Sequence, residues 1–212
     1  GGVGTATAQL AAMATALGNE VTVLFTIDQK WISEDVDYWR GFYLSNDIRL
    51  VTLEQVSTEL RDLEFWPNCD NVKISYLISE YLAANQFDIV FFADWLGHLY
   101  YAAIEKQSKR GLQNTKLAVL CHGTQLWALE GTDAPIKDLD ELTTIWLERK
   151  SIASADIVIV FNEYMSQWMK TRGFEINGKL IKTRLPYDPN NAFGRSVASA
   201  ERREAKAPLL RE

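Results

Sequence analysis

The chain has 212 residues, of which 47% are hydrophobic and 24% are charged, and this balance indicates a globular protein and excludes general disorder. The formal net charge is −6, which argues against a nucleic-acid partner held by a broad basic surface. No run of about 18 apolar residues occurs, so no membrane span is expected. Two cysteines cannot build a disulfide scaffold or a four-cysteine zinc site. Two histidines leave few ligands for a metal, so no metal site is expected. We therefore expect a reduced, soluble, cytoplasmic protein.

Helix-periodic segments and short apolar runs alternate along the chain. Apolar spacing predicts helices over residues 5–17, 70–82, 96–109, 139–154 and 164–171, and a short helix within 31–46. In the first helix, Leu10, Met13, Ala14 and Leu17 are expected to form the apolar face. Apolar runs predict strands over residues 21–25, 48–53, 88–93, 117–121, 157–161 and 180–183.

This alternation of strands and helices predicts an α/β fold: a Rossmann-like, doubly wound parallel sheet with helices on both faces. The strand residues expected to be buried are Phe25, Val90, Phe91, Val119, Val158 and Val160. In such sheets ligands bind beyond the carboxyl ends of the strands. We therefore expect Gly4, Asp94 and His122 to converge on one edge of the sheet.

The glycine-rich start of the chain is a candidate binding element. Gly1, Gly2 and Gly4 precede or open the first helix, followed by Thr5. Without Cβ atoms the backbone approaches a ligand closely, and the N–H groups of a helix start suit a phosphate. The alternative is a tight turn with no ligand. A glycine-rich turn normally follows a strand, and that strand is missing, so we expect the chain to be a piece of a longer protein.

A second candidate is His122-Gly123-Thr124, which follows the strand predicted over residues 117–121. A neutral imidazole at this edge hydrogen-bonds a sugar hydroxyl, and a protonated one binds phosphate. Gly123 lets the backbone approach a ligand closely. The alternative is that His122 only orients its loop.

Asp94-Trp95 follows the strand predicted over residues 88–93 in the same way. A carboxylate beside an aromatic ring holds sugars through hydroxyl hydrogen bonds and stacking. The alternative is that Asp94 caps the next helix and Trp95 packs. Glu141 and Glu148, seven residues apart on one predicted helix, are interpreted as part of a solvated helical face.

Several of these segments together resemble the family-4 retaining glycosyltransferases. The similar segments are Gly1-Gly2-Val3-Gly4-Thr5, Leu17-Gly18-Asn19-Glu20, Val21-Thr22-Val23-Leu24, Asp88-Ile89-Val90 with Asp94-Trp95, Cys121-His122-Gly123-Thr124, and Leu147-Glu148-Arg149 through Ala155-Asp156-Ile157-Val158. They resemble the acceptor-side domain of that family and are spread over nearly all of residues 1–187.

The resemblance implies one half of a two-domain GT-B architecture. Residues 1–187 would form the N-terminal domain, and residues 188–212 a polar tail or linker toward a C-terminal domain that supplies most of the nucleotide site. The implied reaction transfers a sugar from a nucleotide diphosphate sugar to a sugar, lipid or small-molecule acceptor, with retention of configuration and without a metal or cofactor.

In that family the histidine that corresponds to His122 is catalytic, contacting the donor sugar or stabilising the transition state. The loop that corresponds to Gly1–Gly4 lies against the donor diphosphate or the acceptor. Asp94, Trp95, Gly123, Thr124 and Thr5 are expected to bind substrate. The piece alone is expected to be inactive, and peripheral association with a membrane stays open.

Two alternatives from other classes remain. Gly2-x-Gly4-x-x-Thr7 approximates a dinucleotide fingerprint. Counting the missing strand as the first, Asp28 lies just past the second strand, near where a ribose-binding carboxylate belongs. That pattern would make the protein an NAD-dependent Rossmann oxidoreductase or epimerase. The third possibility is a non-catalytic sugar-binding module.

Overall fold

The computed structural model of the chain describes residues 2–26, 35–57 and 69–185. Gly1, Asp28 and the tail predicted over residues 188–212 therefore lie outside the described residues. The chain divides into two compact units, one of Gly1–Gln55 with Leu185–Glu212 and one of Val56–Arg184.

The first unit is built around a pair of parallel strands. Its elements are α1 (Gly2–Ala16), β1 (Val21–Phe25), α2 (Val36–Leu44) and β2 (Ile48–Thr52), and a short helix, α3 (Leu53–Ser57), follows. β1 and β2 pair in register from Val21 opposite Ile48. Ala8 and Ala11 of α1 pack with Ile48 to form the small core of this unit.

The second unit contains a four-stranded parallel sheet in the order β3-β4-β5-β6. Its elements are α4 (Asp70–Ala84), β3 (Ile89–Ala93), a 3₁₀ turn (Trp95–Gly97), α5 (Tyr100–Gln107), β4 (Lys116–Cys121), α6 (Gln125–Gly131), α7 (Leu139–Ser154), β5 (Ile157–Val160), α8 (Glu163–Thr171) and β6 (Lys179–Lys182). The predicted α/β fold with parallel strands is confirmed, and β1 and α7 have the bounds that the sequence predicts.

Helix α1 differs from the prediction in its start and in its buried face. It begins at Gly2, so the glycines that were expected to form a turn lie in its first turn. Its buried residues are the small Ala6, Ala8 and Ala11 with Gln9, whereas Met13 and Leu17 of the predicted face are exposed. Small side chains let a helix approach a sheet closely, and this favours the alanine face over the leucine face.

The predicted core is confirmed in β4 and β5 and wrong in β3. Val119, Val158 and Val160 are fully buried, whereas Phe91 is 40% exposed, and Phe25 and Val90 are half-buried. Among the described strands, β3 is hydrogen-bonded to β4 alone. A side chain on such an edge strand lacks a neighbour on one flank, which an apolar run in the sequence does not reveal.

The described helices include none with the length and apolar character that a membrane crossing requires.

Candidate active site

The candidate site lies in the second unit, where the loops after β3 and β4 meet. Because the strands are parallel, their carboxyl ends lie at one edge of the sheet. The backbone N–H of Asp94 extends the ladder by donating to the carbonyl of Leu120 at 3.0 Å. The predicted proximity of Asp94 and His122 is confirmed, since the two residues are directly hydrogen-bonded.

Asp94 lies beneath the turn that carries His122. Its side chain is 1% exposed, and its carboxylate accepts from the backbone N–H of His122 at 3.0 Å and of Gly123 at 3.1 Å. Burial raises the pKa of Asp94 to about 6, although the hydrogen bonds from His122 and Gly123 act in the opposite direction. Asp94 makes no side-chain cap bond to the 3₁₀ turn that follows it, which argues against the capping alternative. Its role as a substrate ligand stays a prediction.

His122 presents a ring nitrogen that no described group satisfies. The residue is half-buried, and its ring packs at a tilt against Phe161, with 4.9 Å between the ring centroids. Nε2 is shielded from solvent and has no hydrogen-bond partner among the described residues. Burial lowers the pKa of His122, so the imidazole is neutral near pH 7 and offers Nε2 as a donor or an acceptor. Buried polar atoms in native proteins are nearly always paired with a protein group, a water molecule or a ligand.

Gly123 and Thr124 shape the loop between His122 and α6. Gly123 has φ +143°, and a Cβ built on it would lie 2.8 Å from the Trp127 ring. Thr124 is 1% exposed and caps α6 by accepting from the N–H of Trp127 at 3.3 Å. The close approach at Gly123 is thus to Trp127, and the Thr124 hydroxyl is engaged inside the fold. Substrate binding by these two residues stays a prediction.

Two indole rings near these loops are partly accessible. Trp95 is 36% exposed and Trp127 is 37% exposed. The structure thus leaves part of the Trp95 ring free for the sugar contact that the sequence predicts. Trp127 was not among the predicted site residues. The sequence feature that could have identified Trp127 is an aromatic residue shortly after residues 122–124, which we call the histidine loop.

Glu148 is a site residue that sequence reasoning missed. The prediction of a solvated face is wrong for it, because Glu148 is fully buried. Its Oε1 accepts from the N–H of Leu96 at 3.0 Å, and its Oε2 accepts from the N–H of Gln125 at 2.8 Å. Burial raises the pKa of Glu148 to about 8, and the nearby charge of Asp94 raises it further against the lowering effect of these two hydrogen bonds.

Glu141 keeps some exposure and also contacts α6. It accepts from the side-chain amide of Gln125 at 2.7 Å and from the N–H of Lys137 at 2.7 Å. The two glutamates of α7 therefore both bind Gln125, one at the backbone and one at the side chain.

His98 has a structural environment. It is 8% exposed, and its Nε2 lies 3.4 Å from Oδ1 of Asn71. Burial lowers the pKa of His98 to about 4, so it is neutral over the physiological range. The predicted glycine-loop residues Gly2, Gly4 and Thr5 lie in the first turn of α1, in the other unit, and their part in the site stays a prediction.

A parallel α/β sheet with helices between its strands defines a Rossmann-like domain. The family model of the Glycosyl transferase 4-like domain matches residues 1–177, and the chain belongs to this family. It is therefore a glycosyltransferase domain, as the resemblance in its sequence implies. Searches among curated proteins and among solved structures gave no match. The family assignment favours the glycosyltransferase interpretation over the NAD-dependent oxidoreductase.

Proposed function

We propose that this domain forms the acceptor-side half of a GT-B active site that transfers a sugar from a nucleotide diphosphate sugar with retention of configuration. Membership of the glycosyltransferase family supports the proposal, and so does the order of the motifs along the chain. The acceptor is a sugar, a lipid or another small molecule. The reaction runs in the cytoplasm and requires neither a metal nor an organic cofactor.

The observation that carries the proposal is that Nε2 of His122 has no hydrogen-bond partner in the described part of the chain. A neutral imidazole at the carboxyl edge of a parallel sheet hydrogen-bonds a hydroxyl of the donor sugar or stabilises the charge that develops as the sugar is transferred. Its backbone is fixed by Asp94, which limits the reorganisation of the loop that carries the ring.

The leaving diphosphate needs positive charge, and most loops of this site offer none. The loops after β3, β4 and β5 (residues 94–97, 122–124 and 161–164) contain no lysine or arginine. On neighbouring β6, Lys182 is bound to Glu163 at 2.8 Å, and Arg184 is exposed two residues past the end of that strand. We assign the diphosphate contacts chiefly to a C-terminal domain, as the resemblance implies.

Replacement of His122 in the full-length protein tests this function. We expect His122→Ala to lower kcat about a hundredfold with little change in KM, because a hydrogen bond realised in the transition state acts on the rate. His122→Gln keeps a polar group near the position of Nε2 and should retain part of the lost turnover. The measurement is turnover at saturating donor and acceptor, together with a thermal melt. If His122→Ala melts earlier yet keeps near-normal turnover, His122 only braces its loop.

A further inference from the structure

We propose that Glu148 is a positioning residue of this active site: with Asp94, its buried carboxylate holds the loops after β3 and β4 in the arrangement that presents His122. The inference rests on the proposed transferase function and extends it to a residue on α7, outside the loops of the site.

The contacts of Glu148 join two loops that are distant in sequence. One carboxylate spans from the N–H of Leu96 after β3 to the N–H of Gln125 at the start of α6. Helix α7 makes a second hydrogen bond to the loop after β3: the Ser151 hydroxyl donates to the carbonyl of Gly97 at 2.8 Å. A Cβ on Gly97 would lie 2.5 Å from the backbone of Leu147. The helix and the loop are therefore in direct backbone contact.

Leu96, in the loop after β3, has a strained backbone conformation that its surroundings must stabilise. Leu96 has φ +70° and ψ −4°, a left-handed conformation that is unfavourable for a side chain of this size. Such residues persist where the surroundings determine them, and they concentrate at functional sites. Here the surrounding contact is the hydrogen bond from the Leu96 N–H to Glu148.

The carboxylates of Asp94 and Glu148 accept hydrogen bonds from different N–H groups of the histidine loop and the residue after it. Asp94 accepts from the N–H groups of His122 and Gly123, and Glu148 accepts from that of Gln125. The Thr124 side chain caps the helix that follows. Three of the four N–H groups from His122 to Gln125 thus point at a buried acid, which fixes the backbone from which the His122 side chain projects.

Stability alone does not account for two buried acids. Within the described ranges, neither Asp94 nor Glu148 forms an ion pair, and each is at most 1% exposed. Burying a carboxylate without a cation opposes folding, and an apolar residue would pack more favourably. Burial accordingly raises the pKa values of both. Perturbed acids of this kind are typical of functional sites.

The test compares Glu148→Gln with a matched change elsewhere in the same sheet. Asp156 accepts from the N–H of Leu117 at 2.8 Å and from Lys106 at 2.6 Å, at the amino end of β4 and away from the site. Asp156→Asn is the same carboxylate-to-amide change at a bracing position. Both variants are made in the full-length enzyme. The measurements are kcat, KM, thermal melting and the NMR signal of the His122 ring, assigned with His122→Ala.

If Glu148 positions His122, Glu148→Gln lowers kcat about tenfold at nearly unchanged KM, because small misplacements of a reacting group are costly. The His122 signal shifts as well, while Asp156→Asn lowers the melting temperature and leaves kcat and that signal unchanged. A Glu148→Gln protein that melts earlier but keeps its kcat and its His122 signal overturns the proposal.

Two further arms keep the result interpretable. If Glu148→Gln does not fold, Glu148→Asp retains the carboxyl group but shortens the reach by one methylene, and the same readouts apply to it. If the wild-type protein transfers no sugar, the transferase proposal fails, while the His122 signal still decides whether Glu148 sets the position of that ring.

Discussion

At the scale of single residues, Gly123 is a position where the backbone beside His122 tolerates little change. Its φ of +143° and the 2.8 Å approach of a Cβ to Trp127 lead us to expect that Gly123→Ala lowers the free energy of unfolding by about 1–3 kcal/mol. The Trp127 ring must also move, which should change tryptophan fluorescence. Urea unfolding measures the loss.

Gly131→Ala is the matched control, since a Cβ there meets nothing within 4 Å and the residue ends α6. It should be neutral or stabilise by about 0.5 kcal/mol. Equal effects of the two substitutions would show that Gly123 is not constrained by Trp127.

The buried acids give the stability of the protein a defined dependence on pH. The pKa of Glu148 rises from 4.5 to about 8 and that of Asp94 from 3.8 to about 6, in both cases chiefly through burial. Between the unfolded and folded pKa values the native state binds more protons, so the stability that each protonated acid contributes is lost as the pH rises.

We therefore expect the melting temperature of the wild type minus that of Glu148→Gln to fall as the pH rises from about 5 to about 8. Glutamine does not ionise, and His98 titrates in both proteins and cancels in the difference. Calorimetry at several pH values measures this difference in melting temperature. A difference that is constant with pH would mean that Glu148 is not buried as a titrating acid.

At the scale of elements, the bounds of α7 could be predicted from its sequence, whereas the burial of Glu148 was missed. The spacing of apolar residues predicted its bounds, and Ile145 and Ile152 are buried as that spacing requires. Glu148 lies between them on the same face, three residues after one and four before the other, and this was the signal of its burial. The charged neighbour Arg149 instead suggested a solvated face. The partners of Glu148 lie 52 and 23 residues away, and no local pattern contains them.

Short elements were the hardest to predict from the sequence. The seven residues of α6 are too few to display helical periodicity, so the helix behind the histidine loop was missed, together with the capping role of Thr124. Asp94 and His122 were predicted to be close because both follow strands of one parallel sheet. The hydrogen bond from the His122 N–H to the Asp94 carboxylate could not be predicted, because it depends on how the loop folds.

The start of α7 offers a test of how its first turn is stabilised. Asp138 is its N-cap and accepts from the N–H of Glu141 at 2.8 Å. We expect Asp138→Ala to destabilise the protein by about 1 kcal/mol more than Asp140→Ala. Both residues are exposed and acidic at the helix start, so the loss of favourable charge near the helix dipole is common to both. Urea denaturation measures both variants, and equal losses would assign the effect to charge rather than to the cap.

At the scale of the whole molecule, the alternation of strands and helices was sufficient to predict the class of fold. Parallel pairing occurs in both units, between β1 and β2 and from β3 to β6. The sequence also directed attention to the carboxyl ends of the strands, where the unpaired His122 Nε2 lies. Which polar groups brace the loops and which remain free for a substrate depended on contacts between distant segments, and only the folded chain shows them.

The last prediction rests on the proposed function and concerns what this domain does when it is separated from the proposed C-terminal domain. The loops after β3, β4 and β5 carry the acids Asp94 and Glu163 and no lysine or arginine, although Arg184 is exposed just past β6. These three loops therefore give a diphosphate no charge-assisted hydrogen bond from a cation, and such bonds are the strong ones in phosphate recognition. We expect residues 1–212, purified alone and shown to be folded by circular dichroism, to bind a nucleotide diphosphate sugar at least about a hundredfold more weakly than the full-length protein does. Transfer should be undetectable for the separate chain. Isothermal titration calorimetry measures both affinities, and NAD in a parallel titration serves as the control for a dinucleotide site. Equal affinity of the two proteins for the nucleotide sugar would place the diphosphate site in this domain, and tight binding of NAD instead would overturn the assignment of the donor.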